Sequence, residues 1–377
     1  MSFAWAPNLK LYYSVEKGDS KNLFEGWEIT GLFTSFGELD DFTGTYPGGH
    51  NVLGGLKFKD VNGDGKIDNN DKMKGNMELP SNAAIIEVFI SPEVYRKQET
   101  DSTILERIQN KFFSIDATMS TLTQRQGGSV NPENDALASF WADAYGTIMN
   151  LNQRLANEQN DDKKARLMKN RACIYSMLPV VFGDVPLAVL AADTLPARSS
   201  MADVYRLVEQ DSYMAINALT LHDKTDALIT IATVQMQMVS EGTQYYQQAA
   251  TTCKQILDLG TLGWQAGGDN EKYVKVSLLY AEAANENGQL QEALEAVNRL
   301  YQAAGLTIPL PPSSTQEQIR SAVRTAYDNS KFAVKGTKYT NTSRWGLNSG
   351  WGKYILLPIP QKAINNSRGI ITQNAGW

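Results

Sequence analysis

Hydrophobic positions change their rhythm once along this chain, near residue 100. Before that point apolar residues fall in short alternating stretches, at 9–15 and 53–58, separated by Gly, Asp and Asn. Alternation at period two marks a half-buried strand, and the intervening residue types favour turns. Beyond it, apolar residues recur every three or four positions over long segments, the pattern of an amphipathic helix. The spacing predicts helices over 104–122, 136–155, 164–181, 201–219, 227–238, 245–257, 274–287, 290–303 and 315–327. The expected fold class is mainly α, a chain of helical hairpins. A small β/loop segment occupies 1–80 and a helical domain 81–377.

Small residues sharpen two of the hairpins. Ala281 and Ala283 precede Gly288, and Ala293 and Ala296 follow it. Such positions let two antiparallel helices approach closely, with the glycine supplying the turn. A looser copy surrounds Met236, Gly242, Ala249 and Ala250. The spacing is tetratricopeptide-like, although ordinary helix packing produces the same pattern.

Charge and composition narrow the function classes. The chain has 377 residues with Lys+Arg 35 against Asp+Glu 41, a net charge of -6, which opposes binding to a phosphate backbone. No dense basic run offsets this, so no nucleic-acid partner is expected. Two cysteines, Cys173 and Cys253, form neither a disulfide framework nor a CxxC motif, and read as small buried hydrophobes. No run of about eighteen apolar residues is present, so no direct membrane span is expected. The first ten residues carry neither the basic region nor the apolar stretch of an export signal.

The sharpest local motif runs from Asp60 to Asp71. Asp60, Asn62, Asp64, Asp68 and Asp71 stand at loop positions one, three, five, nine and twelve. Gly65 stands at six, where the backbone turns sharply, and Lys66 at seven offers its carbonyl. That spacing wraps a hard cation, and the expected cofactor is a structural calcium ion. Asp71 replaces the usual bidentate Glu, as in dockerin-type loops, and Ile67 can anchor the loop to a core. The competing reading is a metal-free Asx-turn loop.

Catalysis finds little support. The only histidines, His50 and His222, lie in no recognisable catalytic motif, and no local pattern selects a pair of carboxylates from the many available. No GxGxxG or GxxxxGK[ST] sequence marks a nucleotide site.

Three stretches are more specific than generic helix physics requires: Phe182-Gly183-Asp184-Val185-Pro186-Leu187, Arg344-Trp345-Gly346, and Tyr354-Ile355-Leu356-Leu357-Pro358-Ile359-Pro360 with Gln373-Asn374-Ala375-Gly376-Trp377. Gly183 and Pro186 should end the long helix near Val181, and the two prolines after Leu357 should hold an extended segment against the helices. Further pieces come in order with these: Trp141-Ala142-Asp143-Ala144-Tyr145 with Asn152, Arg171-Ala172, Arg198-Ser199-Ser200 with Val204-Tyr205 and Asp211, and Tyr280-Ala281-Glu282-Ala283 with Asn285-Glu286. Over residues 100–377 this series resembles the SusD/RagB family of outer-membrane glycan-binding lipoproteins. The resemblance implies tetratricopeptide-like helix pairs, no catalysis, an oligosaccharide or glycan ligand, and a SusC-like TonB-dependent transporter as partner. It also implies a location on the cell-surface side of the outer membrane.

Two departures stand out. The long irregular region usual before the Tyr280 helix is reduced to residues 261–273, which removes part of the expected ligand-carrying surface. The start shows no signal peptide or lipidated cysteine. Instead Gly26-Trp27, Gly31-Leu32-Phe33 and Gly55-Leu56-Lys57-Phe58-Lys59 resemble a late extracellular part of a SusC-like barrel, as a fusion, gene remnant or join of neighbouring reading frames would. A few strands cannot close a barrel.

Sugar rings stack on aromatic side chains, so loop aromatics are the candidate contacts: Trp264, Tyr339 and Trp351. Trp141 and Trp345 lie within the scaffold motifs and are expected to be buried. The rival readings are a tetratricopeptide-like adaptor without sugar affinity and, less favoured, a glycoside hydrolase.

Overall fold

The computed structural model describes residues 9–13, 84–88, 100–126, 130–190 and 194–377. The chain divides into two compact units, residues 1–100 and 101–377. In the first, β1 (Leu9–Tyr13) pairs antiparallel with β2 (Ala84–Val88), Leu9 opposite Val88 and Tyr13 opposite Ala84. The expected strand at 53–58 and the loop at 60–71 lie outside the described residues.

The second unit is a succession of helices: α1 (Asp101–Met119), α2 (Leu122–Gln126), α3 (Asp135–Asn157), α4 (Asp161–Phe182), α5 (Met201–Ala215), α6 (Leu221–Gln237), α7 (Gln244–Asp258), α8 (Glu271–Glu286), α9 (Leu290–Ala303), α10 (Gln316–Asp328), α11 (Lys338–Arg344) and α12 (Gln361–Asn366). From α3 to α10 each helix packs against the next. Their apolar stripes build two cores. One gathers Ile108, Phe140, Tyr175, Phe182 and Tyr205 from α1, α3, α4 and α5. The other gathers Ile231, Cys253, Leu278, Val297 and Val323 from α6 to α10. Helix α6 serves both, since Val234 belongs to the first and Leu228 to the second. Each such side chain removed from water contributes roughly 1.5–3 kcal/mol.

Local chemistry sets most helix ends. Asn134, Asn160, Ser200, Thr220 and Thr315 each accept a backbone N–H of the first turn, and Thr315 with Gln318 forms a reciprocal capping box. At the end of α4, Gly183 adopts φ +71° and its N–H donates to Pro179 O at 2.8 Å. Gly288, at φ +79°, turns α8 into α9, and Ala281, Ala283, Ala284 and Ala293 on the two helices are fully buried.

The structure departs from the periodicity in a few places. Helix α6 begins at Leu221 rather than 227, because Thr220 caps a first turn whose apolar Leu221 is exposed and so leaves no periodic signal. Helix α5 ends at Ala215 rather than 219. The expected helix 104–122 is broken into α1 and α2, and the short helices α11 and α12 were not anticipated. Helices of one or two turns carry too few residues to show a period.

Several of the sequence motifs converge at the end of α4. Tyr145 donates to Pro186 O at 2.9 Å, and Ala188 N–H donates to the Tyr175 hydroxyl at 2.8 Å. Arg171 forms a bidentate pair with Asp211 at 2.7 and 2.8 Å and donates to Asn152 Oδ1 at 2.6 Å, while Asn152 Nδ2 donates to Ala188 O. Val185–Pro186 pairs with Arg198–Ser199 as a two-residue antiparallel ladder. Leu357 N–H donates to Val181 O at 3.0 Å, and Asn374 Nδ2 donates to both Phe182 O and Leu357 O. The extended 357–360 segment thus packs on the helices as the prolines suggested.

Candidate functional site

Tyr339 and Trp351 come together, and Trp264 lies with the other core. The Tyr339 and Trp351 rings stack with centroids 6.0 Å apart and an interplanar angle of 23°. Tyr339 is only 6% exposed, whereas Trp351 is half-buried. Trp264 is half-buried, its ring edge-on to Phe332 at 6.3 Å.

A buried cation organises the first pair. Arg125, 2% exposed at the end of α2, lies 4.2 Å from the Tyr339 ring centroid and 4.8 Å from that of Trp351. Its Nε donates to Met119 O at 2.5 Å, and its Nη1 donates to Tyr354 O and to Ile355 O. Burial lowers its pKa, countered by the charge and hydroxyl of Tyr339 and by Asp116. Asp116, on α1, accepts the N–H groups of Lys338 at 3.2 Å and Tyr339 at 2.9 Å, and so caps the first turn of α11. Burial raises the Asp116 carboxyl above its ordinary range in spite of those bonds and the nearby cations. The Tyr339 hydroxyl donates to Ile355 O. Tyr339 is therefore held at both ends, with its ring covered by Arg125 and Trp351.

Trp351 lies on a 3-10 segment, Ser349–Ile355, that also carries Lys353 and Tyr354. The Tyr354 and Trp377 rings meet edge-on at 5.3 Å, with the Lys353 ammonium 4.4 Å from the Trp377 centroid. The Trp377 indole N–H donates to Leu356 O at 3.1 Å. All three aromatic side chains, Trp351, Tyr354 and Trp377, keep partial exposure. The pattern of aromatics and prolines in this stretch reads in sequence as architecture; its exposed ring edges depend on the 3-10 turn. Arg125 escapes the sequence reading because its only signal is a lone cation in a polar stretch without a nearby acid.

Of the scaffold tryptophans, Trp141 is buried as expected, at 5% exposure, but Trp345 is only half-buried. Its indole N–H donates to Glu282 Oε1 at 2.9 Å, which holds the ring at the rim of α8 rather than inside the core.

The buried carboxylates have structural partners. Asp116 caps α11, Asp211 pairs with Arg171, and Glu282 pairs with Arg344 through bonds of 2.7 Å. His222 has a side chain 80% exposed and approaches only Asp226, at 3.8 Å. Among the described residues, no group of three or more His, Cys, Asp or Glu side chains has the geometry to hold a metal. No described helix is long and apolar enough to cross a membrane.

No family model matches the chain, and no curated protein does. Solved structures do. A SusD superfamily protein from Bacteroides thetaiotaomicron aligns with a TM-score of 0.57 at 13% identity, over 74% of this chain and 98% of its own. A laminarin-binding SusD-like protein aligns with a TM-score of 0.55 at 14% identity, over 74% of this chain and 99% of its own. Surface glycan-binding protein A from Bacteroides uniformis gives 0.52 and 14%, over 73% of this chain and 100% of its own.

Proposed function

We propose that the chain, whose helical unit has the SusD-like fold, is a non-catalytic glycan-capturing component of an outer-membrane uptake system. The observation that carries this reading is the coverage: one unit of this chain spans nearly the whole length of glycan-binding proteins such as the laminarin-binding one. A second feature agrees with it. Partly exposed aromatic side chains lie close in sequence or contact at Trp351, Tyr354 and Trp377, and aromatic rings are the side chains on which apolar sugar faces pack, with hydroxyls left for polar neighbours. In this reading Trp351 and Trp264 contact sugar, and Tyr339 supports Trp351 through its stacking. The partner is a SusC-like TonB-dependent transporter, and the site of action is the cell-surface side of the outer membrane.

The test is oligosaccharide binding by the full chain. Replacing Trp351 by Ala removes a ring worth on the order of 1 kcal/mol of stacking, which weakens binding about fivefold. Capture of a peptide with no sugar affinity would favour the adaptor instead, and release of reducing sugar would favour an enzyme.

The loop from Asp60 to Asp71 is proposed to bind calcium, on the spacing of Asp60, Asn62, Asp64, Asp68 and Asp71 with the Lys66 carbonyl. Calorimetric titration of the full chain should give a saturable signal that Asp60→Ala with Asp64→Ala abolishes. Identical traces from the two proteins would refute it.

A further inference from the structure

The cleft between α8, α10 and α11 holds polar atoms that the protein leaves without partners. A cavity of about 110 Å3, partly open to solvent, is lined by Asn285, Glu286, Arg320, Arg324, Arg344 and Trp345 among others. Its ion pairs leave one cation over. Glu282 is matched to Arg344, and Glu286 binds Arg320 through two bonds of 2.7 Å. Glu317, 74% exposed, reaches Arg320 from the solvent side and does not line the cavity. Arg324 bonds to no carboxylate, although its charge acts on Glu286, which is already bound to Arg320. Its guanidinium rests 5.1 Å from the centroid of the Trp345 ring, and its Nε is buried without an acceptor.

An orphaned acceptor lines the same cavity. Asn285 is fully buried, and its Nδ2 donates to Glu286 Oε1 at 3.0 Å, but its Oδ1 has no donor. Buried polar groups without partners are rare in folded proteins and costly, so a cationic donor and a neutral acceptor left unpartnered on two residues that line one cavity suggest what would complete it. Water satisfies either group alone but brings no countercharge to Arg324. The complement is an anionic acceptor with a hydroxyl donor close beside it. A guanidinium fork matches a planar carboxylate in shape as well as charge. The cavity has room for several water molecules, each needing at least ~10 Å3 of such volume, which suits a carboxylate with part of one sugar ring.

We propose that this cavity binds the carboxylate of a hexuronic acid residue, so that the glycan taken by the helical unit is an acidic one. The inference rests on the glycan-binding reading above and adds the substrate class. Methyl glucuronide, its methyl ester and methyl glucoside are the probes, titrated into the full chain by calorimetry. The acid should bind at least about tenfold tighter than either neutral probe, as a charge-assisted contact implies. Arg324→Gln should erase that preference while leaving the Glu282–Arg344 and Glu286–Arg320 pairs in place, and Arg324→Lys should restore part of it. Equal affinity for the three probes, or a preference untouched by Arg324→Gln, overturns the assignment. If neutral oligosaccharides bind elsewhere on the protein while the acid shows no advantage, the cavity proposal alone fails. If no sugar of either kind binds, the glycan reading fails with it. Tighter binding of a sulfated sugar than of the uronate would overturn the carboxylate assignment.

Discussion

Arg171 and Asp211 show how much a single residue can carry. Their side chains are 8% and 4% exposed, and their pairing is completed by Asn152. Removing one partner of a buried pair leaves a charge without compensation, at a cost of about 3–5 kcal/mol. Arg171→Met should therefore lower the denaturant midpoint strongly, while Lys254→Ala, which breaks an exposed pair with Asp258, should leave it unchanged. A comparable midpoint for the two variants would contradict this ranking. Gly183 is the other sensitive position. At φ +71° and ψ −126° an added Cβ would stand 2.5 Å from Leu356 Cδ1, so Gly183→Ala combines backbone strain of about 1–3 kcal/mol with a shift of the Leu356 side chain. Of these residues, Gly183 is legible in sequence as a helix stop. The pairing of Arg171 with Asp211, forty positions apart, is visible only once α4 packs on α5.

Between elements, ion pairs link helices that the apolar stripes bring together. Asp143 on α3 accepts from Arg107 and Lys111 on α1, Asp223 on α6 pairs with Lys169 on α4, and Glu286 on α8 pairs with Arg320 on α10. Burial raises each of these carboxyls, but the hydrogen bonds and charges of the cations outweigh it and hold all three below their ordinary values. A folded value below the unfolded one means that the stabilisation is complete above the unfolded values of about 4 and is lost as pH falls through the folded ones. Thermal stability should accordingly drop below about pH 4, and Asp143→Asn should flatten the curve there. A melting temperature that stays level down to pH 2 would contradict it. The long helices announce themselves because their buried faces repeat over successive turns, as Ala293, Leu294, Val297, Leu300 and Tyr301 do along α9. The short α11 is a different case: Asp116 caps it from more than two hundred residues away, and no local pattern encodes that contact.

At the scale of the whole molecule, the described helices build two cores that share α6, one around Phe140 and Tyr175 and one around Cys253 and Leu278. A protein shortened to residues 100–377 should keep a single cooperative thermal transition and strong helical circular dichroism. A molten or insoluble product would mean that the first unit completes its core. The overall class was legible from residues 100–377, because the motif pieces are those that meet around α4 and α8. The candidate site was legible only in part. Aromatic residues could be read as candidates, but which rings stay exposed depends on Arg125 and on the 3-10 turn that carries Trp351.

The most direct measurement is a glycan array probed with the full chain, followed by calorimetry on its hits with wild type and Trp351→Ala. Capture of an oligosaccharide that weakens about fivefold in the folded variant, with no reducing sugar released, is the predicted result. An array without a single bound glycan, neutral or acidic, would contradict the account.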